Sequence, residues 1–300
     1  MGRLLAFATQ AVEKLFVRDH RNEHPFGAAK MVIPAWLDRL RRQEIVNVVN
    51  QHPTTRNNLI LGLPKQEVFD QVIGGGQAEF DTPYLHLSGA DRALLYAYMN
   101  QPGHVAELIE AFTQLFKNGP PEDPLIVVDL GCGPCTGGLA LAAVLDAPFT
   151  YIGLDRYASM RDFGERLASA AEGLGVPRLS ERQWAADFDS IEWTRPSGWR
   201  PILIIASYLL ASPTLDVSEL VRNMDAMCTR FGRGPVTVLY TNSCLPDPNR
   251  SFPAFRDGLQ EIGFRIIADD TGAIIQSDRI RPRPLRYALF QRDPQTVLNV

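Results

Sequence analysis

The chain predicts an α/β fold in which a doubly wound sheet with helices on both faces follows a helical front segment. Two observations carry this. From residue 125 onward, apolar runs of strand length alternate with spacers of helix length, the pattern of buried parallel strands joined by helices. Before residue 120 the apolar residues instead recur three and four apart, the period of amphipathic helices.

In the front segment, Leu4, Leu5, Ala8, Val12 and Leu15 predict a helix over 3–18, and Trp36, Leu37, Leu40, Ile45, Val48 and Val49 predict one over 35–50. Residues 51–83 are broken by Pro53, Pro64, Pro83 and the triple glycine 74–76, so they read as loops around a short helix at 65–73. A longer helix is expected over 89–117, closed by Asn118-Gly119-Pro120-Pro121. A helical N-terminal cap over 1–120 is therefore expected, ahead of a sheet domain over 121–300.

Seven strands are expected in that domain: 125–130, 150–155, 182–186, 201–207, 235–242, 263–269 and 285–292. Helices are expected over 137–146, 158–171 and 214–230. The last two strands are close enough in sequence to pair antiparallel.

Composition narrows the function classes. A 300-residue chain with 45% hydrophobic and 21% charged residues buries a large core, which argues against disorder. A formal net charge of −4 gives no general electrostatic footprint for nucleic acid. Glu13 and Lys14 interrupt the apolar start before a secretory segment develops, and no run approaches the ~20 apolar residues of a membrane span. Cys132, Cys135, Cys228 and Cys244 are too few for a disulfide framework. A soluble protein of the reducing cytoplasm, with no membrane partner, is expected.

The chemistry is concentrated in Val127-Val128-Asp129-Leu130-Gly131-Cys132-Gly133-Pro134-Cys135-Thr136-Gly137, which follows a buried strand and opens a helix. Open α/β sheets bind nucleotides at such a place. A dinucleotide fingerprint needs a glycine where Thr136 stands, and a phosphate loop needs Gly-Lys-Ser/Thr, whereas no lysine follows Lys117. Both phosphate readings weaken. Asp129 suits a cationic ligand group better than a pyrophosphate.

This run resembles the first motif of class I S-adenosylmethionine-dependent methyltransferases. The resemblance covers about residues 125–292 and implies a Rossmann-like seven-stranded methyltransferase sheet with S-adenosylmethionine as cofactor. It further implies that Asp129 lies near the methionine end, with Gly131, Gly133 and Cys135 shaping the loop. Cys135 departs from the family, which usually has a third glycine there, and its Cβ is expected to narrow the cleft or shift the cofactor. Tyr151-Ile152-Gly153-Leu154-Asp155 is similar to the strand whose terminal acid binds ribose, with Arg156 beside it. Asp187 and Phe188 resemble the pair that meets the adenine amino group and flanks the ring. Ser207, ending the fourth strand, falls beside the methyl-transfer position.

The acceptor is less constrained. Tyr84, His86 and Tyr208 are candidate substrate residues, and no catalytic base is assigned. Ala206-Ser207-Tyr208 is not the Asn/Asp-Pro-Pro-Tyr/Phe pattern of many base-amino methyltransferases, which disfavours methylation of base amino groups. A small-molecule acceptor leads because a cap of about 120 residues can enclose a pocket and the net charge gives no footprint for nucleic acid. Two alternatives remain: RNA or protein methylation, with Arg279, Arg281, Arg283 and Arg286 holding an anionic partner, and cofactor binding without transfer. No metal site is expected, because Cys132-x-x-Cys135 lacks a second close pair and the five histidines have no ligand spacing.

Overall fold

The computed structural model describes residues 33–192, 199–232, 234–274 and 283–294. The helix expected over 3–18, and Arg279 and Arg281, lie outside them.

The seven strands are β1 Ile126–Leu130, β2 Thr150–Leu154, β3 Arg182–Ala185, β4 Ile202–Ser207, β5 Val236–Ser243, β6 Arg265–Ile274 and β7 Arg283–Arg292. They form one sheet in the order β3-β2-β1-β4-β5-β7-β6, mixed in direction and with helices on both sides. The pairs β2/β3 and β4/β5 are parallel, whereas β7 runs antiparallel to both β5 and β6. Every residue of β1 is buried, as are the first five of β4, which is why these strands read as unbroken apolar runs. A register shift between Ile266 and Ala268 interrupts the β6/β7 ladder.

The described residues divide into two compact units. The first holds residues 33–109 and 127–192. In it are α1 (Ala35–Arg41, carried on by Arg42–Val46 and Asn47–Asn50), most of the β1–β3 half of the sheet, and α2 (Gly89–Met99), together with the first part of α3 (Gln101–Leu115). The helices α4 (Thr136–Ala142) and α5 (Ala158–Gly173) complete it. Both α1 and α2 pack on α5, so the front segment shares a core with the first three strands. Helix α2 starts at a capping box: the Ser88 hydroxyl accepts the Asp91 N–H at 3.2 Å and the Asp91 carboxylate accepts the Ser88 N–H at 2.8 Å. This satisfies two donors that a helix start leaves open.

The single helix expected over 89–117 is two. It breaks at Asn100, because Pro102 has no N–H to continue the ladder of α2 and suits the first turn of a new helix.

The second unit holds residues 110–126 and the described residues from 199 onward. It contains β4 to β7, α6 (Val217–Phe231) and α7 (Phe252–Glu261). Tyr240 stacks on Phe252 with ring centroids 4.7 Å apart, and Phe255 meets Phe290 edge-on at 6.2 Å. Helix α7 has no counterpart among the expected elements. Strand β6 runs to Ile274, beyond the expected end at 269. Among the described residues no helix is long and apolar enough to cross a membrane.

Candidate cofactor site

Three residues with positive φ shape the loop between β1 and α4: Gly131 (66°), Gly133 (51°) and Cys135 (60°). A side chain disfavours this region, so glycine is the natural occupant of the first two. The loop is tied to the end of β2 by two bonds: the Cys132 N–H donates to the Leu154 carbonyl at 2.9 Å, and the Gly133 N–H donates to Asp155 Oδ2 at 3.0 Å. The front segment closes on the same loop. Gln101 Nε2 donates to the Pro134 carbonyl at 2.8 Å, and Tyr96 Cε1 lies 3.6 Å from where a Cβ on Gly133 would stand.

Asp129 lies beneath the loop, only 2% exposed. The Tyr151 hydroxyl donates to its Oδ2 at 2.8 Å, and the Gly137 N–H donates as well. Burial pushes this carboxyl up to about 7, with the nearby Asp155 charge adding to the rise. Cys135 is also fully buried, its Sγ 2.8 Å from the Cβ position of Gly138. Its side chain is thus packed among Gly138 and Tyr151. Burial raises the thiols of Cys132 and Cys135 and keeps them protonated. Among the described residues no group of three His, Cys, Asp or Glu side chains is placed to hold a metal ion.

Asp155 is half-buried at the end of β2. Its Oδ1 accepts the Tyr157 N–H at 3.0 Å, while Oδ2 takes the Gly133 bond. Burial raises its pKa, opposed by these two bonds and by the charges of Arg161 and Arg156. A carboxylate oxygen has two lone pairs, so each keeps one acceptor position. Arg156 is engaged elsewhere: its guanidinium donates to Glu79 Oε1 at 2.5 Å and to the Tyr157 hydroxyl, and lies 4.6 Å above the Tyr157 ring.

The structure thus brings Asp129, Gly131, Gly133, Cys135 and Asp155 together around one loop. The other candidates have partners of their own. Asp187 Oδ1 accepts the N–H of Ser190 at 2.8 Å and its hydroxyl at 2.6 Å, closing a tight exposed turn, while Phe188 is half-buried. Tyr84 donates to Glu67 Oε1 at 3.4 Å, and His86 Nε2 lies 2.7 Å from the Leu61 carbonyl. These two side chains brace loops of the front segment. Ser207 and Tyr208 belong to the second unit, where the Ser207 hydroxyl accepts from Thr241 Oγ1 at 2.9 Å. Tyr208 has a left-handed backbone, φ 57°. Arg286, from the expected arginine strip, is paired with Asp269 at 2.8 Å.

Sequence reasoning missed Glu79, Asp81 and Gln101. One signal was present for Asp81: Tyr157, just before α5, has no oxygen that suits the capping role.

No family model matches the sequence, and no curated protein matches it. Among solved structures the chain is similar to a SAM-dependent methyltransferase of Leishmania major, at 14% identity over 76% of this chain and 91% of that one, with a TM-score of 0.44. It is similar to the magnesium protoporphyrin IX methyltransferase of Synechocystis PCC 6803 with bound SAH, at 15% identity over 76% and 94%, TM-score 0.41. A SAM-dependent methyltransferase of Methanosarcina mazei is similar at 15% identity over 60% and 97%, TM-score 0.42.

Proposed function

We propose that this chain binds S-adenosylmethionine and transfers its methyl group to a small-molecule acceptor. The observation that carries the reading is the Asp155 carboxylate, half-buried at the end of β2, bonded to the N–H of Gly133 and keeping two acceptor positions. Two such acceptors suit the vicinal hydroxyls of a ribose, which donate to them. The loop from Gly131 to Cys135 carries no cationic side chain, which suits an uncharged sugar better than a phosphate.

When bound, the cofactor supplies an electrophilic methyl on a sulfonium. The chain's own residues then act by holding and enclosing. Asp155 grips the sugar, and Gly131 and Gly133 let the backbone approach the ligand. Asp129 fixes the loop from below through Gly137, and Tyr96 and Gln101 close over it. Positioning for in-line attack and exclusion of water supply much of the rate, and no side chain is assigned as general base.

Support for a small acceptor comes from the front segment, which shares a unit with the glycine loop and closes on it. The Arg286–Asp269 pair takes one guanidinium from the strip that an RNA or acidic-protein acceptor would need. The buried thiols Cys132, Cys135 and Cys228 support a cytoplasmic setting.

Calorimetry with S-adenosylmethionine and its demethylated product tests the reading. The parent is expected to bind both, and Asp155→Ala to bind them about tenfold or more weakly. Equal binding by the variant removes the ribose assignment, and a parent that binds neither ligand removes the function. Binding without turnover across acceptor classes leaves a cofactor-binding protein without transfer activity.

A further inference from the structure

Helix α5 starts at Ala158, three residues beyond Asp155, and takes no side-chain cap from its own N-cap residue, Tyr157. The first N–H groups of a helix have no partner within it and need an acceptor. Here Asp81 of the front segment supplies one: its Oδ2 accepts the Ala158 N–H at 2.8 Å and its Oδ1 accepts the Ser159 N–H at 2.9 Å. These partners are 77 and 78 residues away in the chain. Burial pushes the Asp81 carboxyl up, but the backbone bonds from Ser159 and Ala158 and the Arg161 charge outweigh it and hold the group below the usual range. It is therefore a charged cap at neutral pH, and a negative charge is favoured at a helix start.

Asp81 is itself held on both sides. Phe80, buried, meets the rings of Tyr96 and Tyr157 edge-on at 5.6 and 5.5 Å. The carbonyls of Glu79 and Thr82 accept from Arg92, and the Glu79 carboxylate pairs with Arg156.

Resting on the S-adenosylmethionine reading, we propose that Asp81 is a positioning residue for the cofactor. By capping α5 from the front segment it fixes the backbone over 155–159 and so the aim of the Asp155 carboxylate at the ribose. Gripping the sugar then requires the front segment to be seated on α5. By linkage, a bound ribose seats the front segment in return.

The test uses the full chain and calorimetry with S-adenosylhomocysteine and its 2′-deoxy counterpart, on the parent, Asp81→Ala, Asp81→Asn, Asp155→Ala and the Asp81→Ala/Asp155→Ala double variant. Loss of a helix cap corresponds to a change of about threefold to tenfold. Asp81→Ala is expected to weaken the ribose ligand by that factor and the deoxy ligand by much less. Asp81→Asn, which keeps one acceptor oxygen, recovers part of the loss and carries the comparison if the alanine variant does not fold. In the Asp155→Ala background the second change is expected to add less than about twofold, since residues acting through one another are not additive. Equal weakening of both ligands, no weakening, or full additivity overturns the positioning role while the cofactor reading stands. A parent that does not bind S-adenosylhomocysteine overturns the reading itself.

Discussion

The hydroxyl of Tyr151 donates to the carboxylate of Asp129 at 2.8 Å in a space closed to solvent. Burial pushes Asp129 up to about 7 from an ordinary value of 3.8, against the bonds from Tyr151 and Gly137, which favour the charged form. A carboxyl raised in this way holds its proton more tightly folded than unfolded. Its contribution to stability is complete below about pH 4, falls as pH rises toward 7, and is level above that. Urea unfolding between pH 5 and 8 is expected to show the parent losing about 2–4 kcal/mol at most relative to Asp129→Asn, which does not titrate. Parallel pH profiles for the two proteins contradict the buried acid. Tyr151→Phe removes a donor that favours the charge, so the fall moves to higher pH.

The glycines of the motif differ in what an added methyl meets. At Gly133 the nearest atom to a new Cβ is 3.6 Å away, so the cost of Gly133→Ala is the left-handed backbone, about 1 kcal/mol. At Gly137 the new Cβ would stand 2.5 Å from Asp129 Oδ2 and 2.9 Å from its Cγ. Gly137→Ala must displace a buried, hydrogen-bonded carboxyl, an overpacking cost of about 2–3 kcal/mol. Denaturation midpoints are expected to rank Gly137→Ala as the more damaging, and the reverse ranking contradicts the packing beneath the loop.

What was legible in the sequence follows from what is local. The strands β1 and β4 read as apolar runs because their faces are buried, and the glycine loop and Asp155 follow from their place after strands. Helix α7 was passed over because Phe252, Phe255 and Leu259 share a short stretch with Pro246, Pro248 and Pro253, which reads as loop. The Asp187–Ser190 turn was visible in principle, since an aspartate commonly bonds to the backbone just ahead of it. The pairings Glu79–Arg156 and Asp81–α5 were not, because contacts between residues 77 and 78 apart leave no periodic trace. The ion pair of Arg156 with Glu79 is one such contact.

Trp184 reports on the outer wall of the first unit. Its Nε1 donates to Glu165 at 2.6 Å, and the same carboxylate accepts from Arg182 at 2.6 and 2.9 Å. The Arg182 bond, more than any other influence, holds Glu165 down to about 2. A carboxyl lowered in this way stabilises the fold above its unfolded value near 4.5 and loses that contribution as pH falls toward 2. Because the Glu165 side chain is 44% exposed, solvent screening reduces the effect to about 1 kcal/mol. Glu165→Gln is expected to lower stability by that amount at pH 7, read from tryptophan fluorescence in urea, and to differ less from the parent near pH 3. A gap that widens in acid contradicts the ion pair.

Arg92 is the buried cation that organises the front segment. It is 5% exposed, and its guanidinium donates to the carbonyls of Val72 at 2.8 Å, Glu79 at 2.6 Å and Thr82. One planar group with several fixed donors thus gathers three turns of chain, an arrangement that the single ammonium of lysine cannot reproduce. Removing it leaves buried carbonyls without a donor, and Arg92→Met is expected to cost about 3 kcal/mol, with Arg92→Lys recovering less than half. Hydrogen exchange locates the damage. Amides over 72–82 are expected to lose protection first, followed by Ala158 and Ser159, whose acceptor Asp81 rides on the same segment. The ladder between β5 and β7 lies in the other unit and is expected to keep its protection. Uniform loss across both units would show instead that Arg92 supports the whole fold and that the front segment does not open on its own.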